Sequence, residues 1–384
     1  MNLWHALDRR SFLKASTLGV ALAATSGGGA EDAAPPGAPA ATGPVPTRVL
    51  GRTKLVVGEV SVGAMRTTEP AVLQAAFDRG VNYVDTAHCY MGGKNERIVG
   101  EAIKGRRDQL IVATKCHMVT PKGAIIKSLE ESLASLGTDH VDLLQLHMPK
   151  LPDVLHPDAK EALAELKQAG KVRFAGVTTH SDQIGVLDAV HTDPDKFYDT
   201  VLVAYNFESP QELTDAITRA GEAGLGIIAM KTQAGGYKTE VMGDASPHQA
   251  ALKWALRHPH VHTCIPAMVS IEHVTENVGA MGLKLTKADE QVLERYAAAI
   301  RPMYCHRCDA CTGMCPNGVD VQTINRALMY AEGYNDYGLA SETYAGIALA
   351  ASAAQCTDCN VCVVRCKHAL NIGEKMRKAR MLFV

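Results

Sequence analysis

Residues 110–147 read LIVATKCHMVTPKGAIIKSLEESLASLGTDHVDLLQLH. An apolar run over 110–115 is followed by apolar residues at helical spacing from Ile125 to Leu136. Gly137 is placed to end that helix, and a second apolar run covers 141–147. The stretch is one strand–helix–strand unit. Outward from it, the same alternation extends from residue 48 to about 300, with further apolar runs at 60–63, 82–87, 173–178, 201–205, 227–231 and 262–267. Other helical patterns end at Gly80, Gly105, Gly170 and Gly224. Eight such units in about 250 residues predict an α/β fold, a (β/α)8 TIM barrel. A hairpin over 48–57, turning at Gly51, is expected to plug the barrel bottom, and a helix over 287–300 leads out of it. A barrel carries its chemistry at the C-terminal ends of its strands, here Asp85, Lys115, His147, Thr178, Asn206 and Lys231. No G-x-G-x-x-G follows the first strand, which excludes a Rossmann reading.

The 384 residues leave room for one large and one small domain. A net charge of −2 gives no basic footprint for nucleic acid. No run approaches the roughly 20 apolar residues of a membrane span. At the N-terminus, Asp8-Arg9-Arg10-Ser11-Phe12-Leu13-Lys14 resembles a twin-arginine export signal, followed by a mildly apolar stretch and a cleavage site after Gly28-Gly29-Ala30. Residues 1–30 are therefore expected to be a signal peptide. Residues 31–47, with Pro35, Pro36, Pro39, Pro44 and Pro46, read as a linker. The expected destination is the periplasm or another exported location.

Of eleven cysteines, eight lie in the segment 301–384. Cys305, Cys308, Cys311 and Cys315 form C-x2-C-x2-C-x3-C, and Cys356, Cys359, Cys362 and Cys366 repeat it. This is the bacterial ferredoxin run, in which the fourth cysteine serves the other cluster. Two [4Fe-4S] clusters are expected, one on Cys305, Cys308, Cys311 and Cys366, the other on Cys356, Cys359, Cys362 and Cys315. Zinc also uses C-x2-C pairs, but with a longer loop between them. Forty residues of helical pattern (321–331, 341–353) separate the runs, which predicts an α-helical ferredoxin-like domain. Lys367 follows the last cysteine and is expected to raise a cluster's potential. Cys89, Cys116 and Cys264 lie in or beside apolar strands and are expected to be buried structural thiols.

Gly80-Val-Asn-Tyr-Val-Asp85-Thr-Ala-His-Cys-Tyr90, Thr114-Lys115 and Leu144-Gln-Leu-His147 together resemble the aldo-keto reductases over residues 48–300. The resemblance implies a catalytic tetrad of Asp85, Tyr90, Lys115 and His147. Tyrosine loses its proton near pH 10. A neighbouring Lys115 ammonium should lower that value, with Asp85 holding the lysine charged. His147 would hydrogen-bond the substrate oxygen, and Tyr90 would deliver the proton. His88 and His117 are expected to be wall or exposed residues. The resemblance also implies a nicotinamide nucleotide on Thr178, Thr179, Tyr205, Asn206, Lys231, Ala267, His273, Glu276 and Asn277. Several of these depart from the family pattern: Thr178-Thr179-His180 at the carboxamide clamp, Leu202 at a usual glutamine, Ala267 at a usual lysine, His273 at a usual arginine. NADP(H) and NAD(H) are both open. A subset of the family carries a C-terminal two-cluster domain, to which this tail is similar.

The expectation is an exported oxidoreductase reducing a small carbonyl substrate with nicotinamide hydride, with clusters for electron transfer to or from a redox partner protein. Hydride carries two electrons and a cluster one, so a flavin is the candidate to join them, although no flavin signature is present. The alternatives are a cluster-fed reductase without nicotinamide and a non-catalytic electron-transfer protein using the barrel as scaffold. The loops 148–157 and 232–244 carry no recognisable substrate code.

Overall fold

The computed structural model describes residues 45–238, 246–357, 359 and 361–384. The expected signal peptide and most of the expected linker lie outside the described residues, as does part of the loop 232–244.

A short antiparallel hairpin, β1 (Thr47–Val49) and β2 (Val56–Gly58), opens the described chain. Its turn begins at Gly51, with φ +49°, where an added Cβ would stand 2.4 Å from the Gly226 nitrogen. Only glycine gives both that backbone and that approach. Leu50, Leu55 and Val57 pack in one buried cluster with Tyr83, Ile111, Leu143, Leu202 and Ile228, the inward side chains of the strands. The hairpin therefore plugs the barrel.

Eight parallel strands follow in chain order: β3 (Val62–Gly63), β4 (Tyr83–Asp85), β5 (Ile111–Cys116), β6 (Val141–His147), β7 (Val172–Thr179), β8 (Thr200–Ala204), β9 (Gly226–Met230) and β10 (Val261–Cys264). Each pairs with its sequence neighbours, and parallel bridges Val60–Cys264 and Gly63–Ala267 join the two ends. The eight runs read from periodicity thus form a closed α/β barrel, with bounds moved by a few residues at most. The helices between them are α1 (Pro70–Asp78), α2 (Asn95–Ile103), α3 (Lys122–Leu136), α4 (Pro157–Gln168), α5 (Gln183–His191), α6 (Gln211–Glu222) and α7 (Pro247–Leu256), with α8 (Ile271–Val278) after β10. Alternate strand residues such as Val84, Val112, Leu144 and Val203 point outward and meet the helices in the main core. On α3, Ile125, Leu129, Leu133 and Leu136 supply that face. Each such burial stabilises the fold by about 1.5–3 kcal/mol.

Helix α9 (Lys287–Ile300) carries a Thr286–Asp289 capping box and matches the expected helix. The tail then folds as α10 (Val321–Glu332), α11 (Tyr337–Ala345) and α12 (Ile372–Phe383), with no strand among its described residues. The single helix expected over 341–353 is instead α11 and two short 3-10 turns. Asp336 caps the Leu339 amide and so starts the helix early, and Gly346 ends it. The tail does not hang free. Ala234, Tyr237, Tyr296 and Ile300 of the barrel share a buried cluster with Tyr304, Met329, Tyr330 and Ala340 of the tail. No helix of the described residues is long and apolar enough to cross a membrane.

Candidate active site

Asp85 ends β4, Lys115 is next to last in β5, and His147 ends β6. The register pairs Lys115 with Gln145. All three side chains are buried at the same end of the barrel. Tyr90 stands in a short turn just after β4, half-buried. Its ring lies 4.7 Å from the Lys115 ammonium and 5.8 Å, edge-on, from the His147 ring. Lys115 donates to Asp85 Oδ1 and, at 2.7 Å, to the Thr86 carbonyl. Gln145 donates to the other Asp85 oxygen at 2.9 Å. The four residues expected as a tetrad are therefore brought to one place, and Gln145 joins them. Gln145 was missed as a site residue, although two residues before His147 on a strand means the same face.

The electrostatics differ from expectation at one point. Burial pushes the Tyr90 phenol above its ordinary value, and the Lys115 ammonium recovers only part of that shift. Lys115 loses to burial but gains more from Asp85 and Tyr90, so its ammonium is held above the usual lysine range. His147 is held down to about 2, chiefly by burial and then by Lys115. The imidazole is neutral at any physiological pH and serves as a hydrogen-bond donor, not a cation.

These residues open on a cleft of about 620 Å³, within the range of small-molecule sites. Cys89 was expected to be buried; it is exposed on this cleft, whereas Cys116 and Cys264 are buried. Its sulfur lies 3.1 Å from His117 Nε2 and 3.7 Å from His147 Nδ1, and the two imidazoles stack at 4.1 Å. His117 is thus a wall residue, while His88 faces Glu96 and Glu131.

Of the residues expected to hold a nucleotide, Lys231, Ala267, His273, Glu276 and Asn277 line the cleft. His248 holds the Glu276 carboxyl down to about 2. Asn277 accepts from Gln233 at 2.7 Å. Four others do not line it. Thr178 Oγ1 accepts from the Met148 amide and Thr179 Oγ1 donates to the Ser181 carbonyl. Tyr205 follows the last residue of β8 with its ring turned outward onto Trp254, 4.9 Å away, and its hydroxyl 3.2 Å from Thr214 Oγ1. Asn206 donates to the Lys231 carbonyl and to the Tyr304 hydroxyl, both at 3.0 Å, so it ties the barrel to the tail. Of the residues expected to hold a nucleotide, those expected at the adenine end thus face the cleft, and the polar ones expected around the carboxamide are taken up by the protein. The tail contributes the remaining wall through Arg326, Tyr330, Glu332 and Tyr334, none of which sequence reasoning had singled out.

The eight tail cysteines line two small cavities. One is walled by Cys305, Cys308, Cys311 and Cys366, the other by Cys315, Cys356, Cys359 and Cys362. The fourth cysteine of each run thus sits with the other run. Four thiols at each cavity are a donor set that suits an iron–sulfur cluster. Lys367 lines the first cavity, and the His368 amide donates to Cys366 Sγ at 3.3 Å.

The sequence profile of the Aldo/keto reductase family matches residues 54–244 and 239–297. A methylglyoxal reductase of Escherichia coli is 26% identical, over 66% of this chain and 92% of its own length. L-Galactose dehydrogenase of Arabidopsis thaliana is 28% identical, over 67% of this chain and 94% of its own. An aldo/keto reductase of Klebsiella pneumoniae, solved in complex with NADP and acetate, is 28% identical with a TM-score of 0.56, covering 66% of this chain and 95% of that one. The profile leaves the segment after residue 297 unmatched. The chain belongs to the aldo/keto reductase family and is an oxidoreductase.

Proposed function

We propose that this protein reduces a small carbonyl compound with a nicotinamide nucleotide held in the cleft, and that its tail carries two [4Fe-4S] clusters. The observation that carries the first part is the convergence of Asp85, Tyr90 and His147 on the wall of one cleft, with Lys115 buried against Asp85 and the Tyr90 ring. Bound there, the reduced nucleotide supplies hydride. The chain's own residues do the rest. Neutral His147 donates a hydrogen bond to the carbonyl oxygen and stabilises its growing charge. Tyr90 gives that oxygen its proton. Lys115, fixed by Asp85, whose other oxygen accepts from Gln145, stabilises the phenolate left behind. The Klebsiella relative, solved with NADP, supports this choice of cofactor.

Cys305, Cys308, Cys311 and Cys366 would hold one cluster, and Cys315, Cys356, Cys359 and Cys362 the other; the two cysteine-lined cavities support this. Such clusters supply one-electron storage, which calls for a redox partner protein. Export to the periplasm through the twin-arginine route rests on Arg9-Arg10 and the residues after them. One observation favours a second reading, a reductase fed by its clusters without nicotinamide. Thr178, Thr179 and Asn206 are engaged elsewhere, and Ala267 offers no cation to a 2′-phosphate.

Anaerobically purified protein, denatured and analysed for released nucleotide and for iron, tests both parts. About one nucleotide and about eight irons per chain are expected. Nucleotide-dependent aldehyde reduction that Tyr90→Phe abolishes is expected alongside. Eight irons, no nucleotide and no reduction by added NADPH would move the reading to the cluster-fed enzyme.

A further inference from the structure

Resting on the reductase reading above, we propose that the substrate is a carbonyl compound bearing an anionic group, a carboxylate or a phosphate, which Lys231 and Arg326 hold beside the tetrad. Both side chains line the cleft, Lys231 from the end of β9 and Arg326 from α10 of the tail. Lys231 has φ +54°, a left-handed backbone that a lysine rarely takes. Its carbonyl is held there by the Asn206 amide and the Ala234 N–H, both at 3.0 Å. Arg326 lies over the Tyr330 ring, 5.1 Å from its centre, and its Nη1 is buried with no hydrogen-bond partner. A buried donor without a partner is costly, and a bound ligand is one remedy.

Neither cation has an acidic partner among the described residues, because the acids of the cleft are engaged. Asp85 pairs with Lys115, Glu276 with Ser246 and His248, and Glu332 with Lys375 and Lys378. Two cations therefore face one half-buried space and repel each other. Burial and then Arg326 press the Lys231 ammonium well below the usual lysine range. An anion between them relieves both burdens, and a planar guanidinium suits a carboxylate or phosphate through paired hydrogen bonds. Arg307 lines the cysteine cavity and not the cleft, yet it adds to the repulsion on Lys231, while Cys305 offsets part of it. Arg326 is near enough to His147 to help keep that imidazole neutral. The anion site is thus within electrostatic reach of the tetrad histidine. In this arrangement Lys231 serves the substrate, not the nucleotide.

The test uses holoprotein and aldehyde pairs matched in length: succinic semialdehyde against butanal, and glyceraldehyde 3-phosphate against glyceraldehyde. The anionic member of at least one pair is expected to have a kcat/KM about 10- to 100-fold higher, as a charged hydrogen bond predicts. Which pair shows it tells carboxylate from phosphate. In Arg326→Met, which keeps the packing on Tyr330, that ratio should fall towards one through KM, with iron content unchanged. Arg326→Lys should restore part of it. Ratios near one in the wild type would overturn the inference and leave the reductase reading standing. So would an Arg326→Met protein that loses affinity for the nucleotide while keeping its ratios. If no aldehyde is reduced, titration with succinate and with inorganic phosphate decides. One-to-one binding of either, weakened at least about 10-fold in Arg326→Met, would keep the anion site and remove the reductase reading. No binding would sink the anion site as well.

Discussion

At the scale of the residue, the acid and the hydrogen-bond donor are set by opposite consequences of burial. Tyr90 is pushed up and His147 down to about 2. A general acid works while it keeps its proton, so a raised phenol stays competent to higher pH and is lost only as pH rises through its value. His147, neutral down to about 2, adds no limb near the ordinary histidine range. Measured with an uncharged aldehyde, kcat/KM should be flat from about pH 5 up to the ordinary tyrosine range near about pH 10 and fall only above it. A clear inflection near pH 6.5 would show that a histidine titrates in the working enzyme. Lys115 and Asp85 form a buried pair, so removing one leaves the other charge without its partner. Lys115→Met should therefore lower stability by about 3–5 kcal/mol in anaerobic urea unfolding; a loss below about 1 kcal/mol would mean that Gln145 alone satisfies the carboxylate. The meeting of Asp85, Tyr90, Lys115 and His147 was legible in the sequence through the family resemblance and because three of them lie at the ends of successive strands. Arg326 was not, because nothing local marks a helix residue that reaches a cleft built some two hundred residues earlier. Tyr205 and Asn206 misled for the opposite reason. They stand just past the end of β8, where the backbone turns and strand alternation no longer tells which way a side chain points.

At the scale of the element, strands and helices followed from hydrophobic period, and their order made the barrel. What period could not give was the contact between tail and barrel. Helix α10 ends at Gly333, where an added Cβ would stand 2.4 Å from the Gly235 carbonyl in the loop after β9. That loop and α10 are two walls of the active-site cleft. Gly333→Ala should force the two apart, at a cost of about 1–3 kcal/mol for an overpacked contact. The separation should also raise KM for the carbonyl substrate more than it lowers kcat. The tetrad, which lies on other elements, should keep its arrangement. Urea unfolding and steady-state kinetics on the same variant check both halves. Unchanged stability and unchanged KM would show that the tail moves on the barrel without consequence. The split of the expected helix over 341–353 has a local cause, Asp336 at its start and Gly346 at its end, and both residues are signals of a kind the sequence does display.

At the scale of the whole molecule, barrel and tail are joined by a shared aromatic core: Tyr237, Tyr296 and Ile300 on one side, Tyr304, Met329 and Tyr330 on the other. Two parts that bury each other's apolar surface unfold together when that surface is large. The tail's own core is small, and partly buried cysteines of both runs pack against it. On the cluster reading, the iron–sulfur groups are therefore also its staples, since each would bind the segment around residue 310 to the segment around residue 360. A small domain of this size leans on such links. Removing iron with a chelator under reducing, anaerobic conditions should loosen α10 and α12, and through Tyr330 and Arg326 it should open the cleft. The expected result is a loss of aldehyde reduction with added nicotinamide nucleotide, even though that assay asks nothing of the clusters as electron carriers. Amide exchange should rise first in 301–384 and then in the loop after β9, while β5 and β6 stay protected. If activity survives complete iron loss, the clusters hold up neither the cleft nor the tail, and the shared core alone keeps α10 in place.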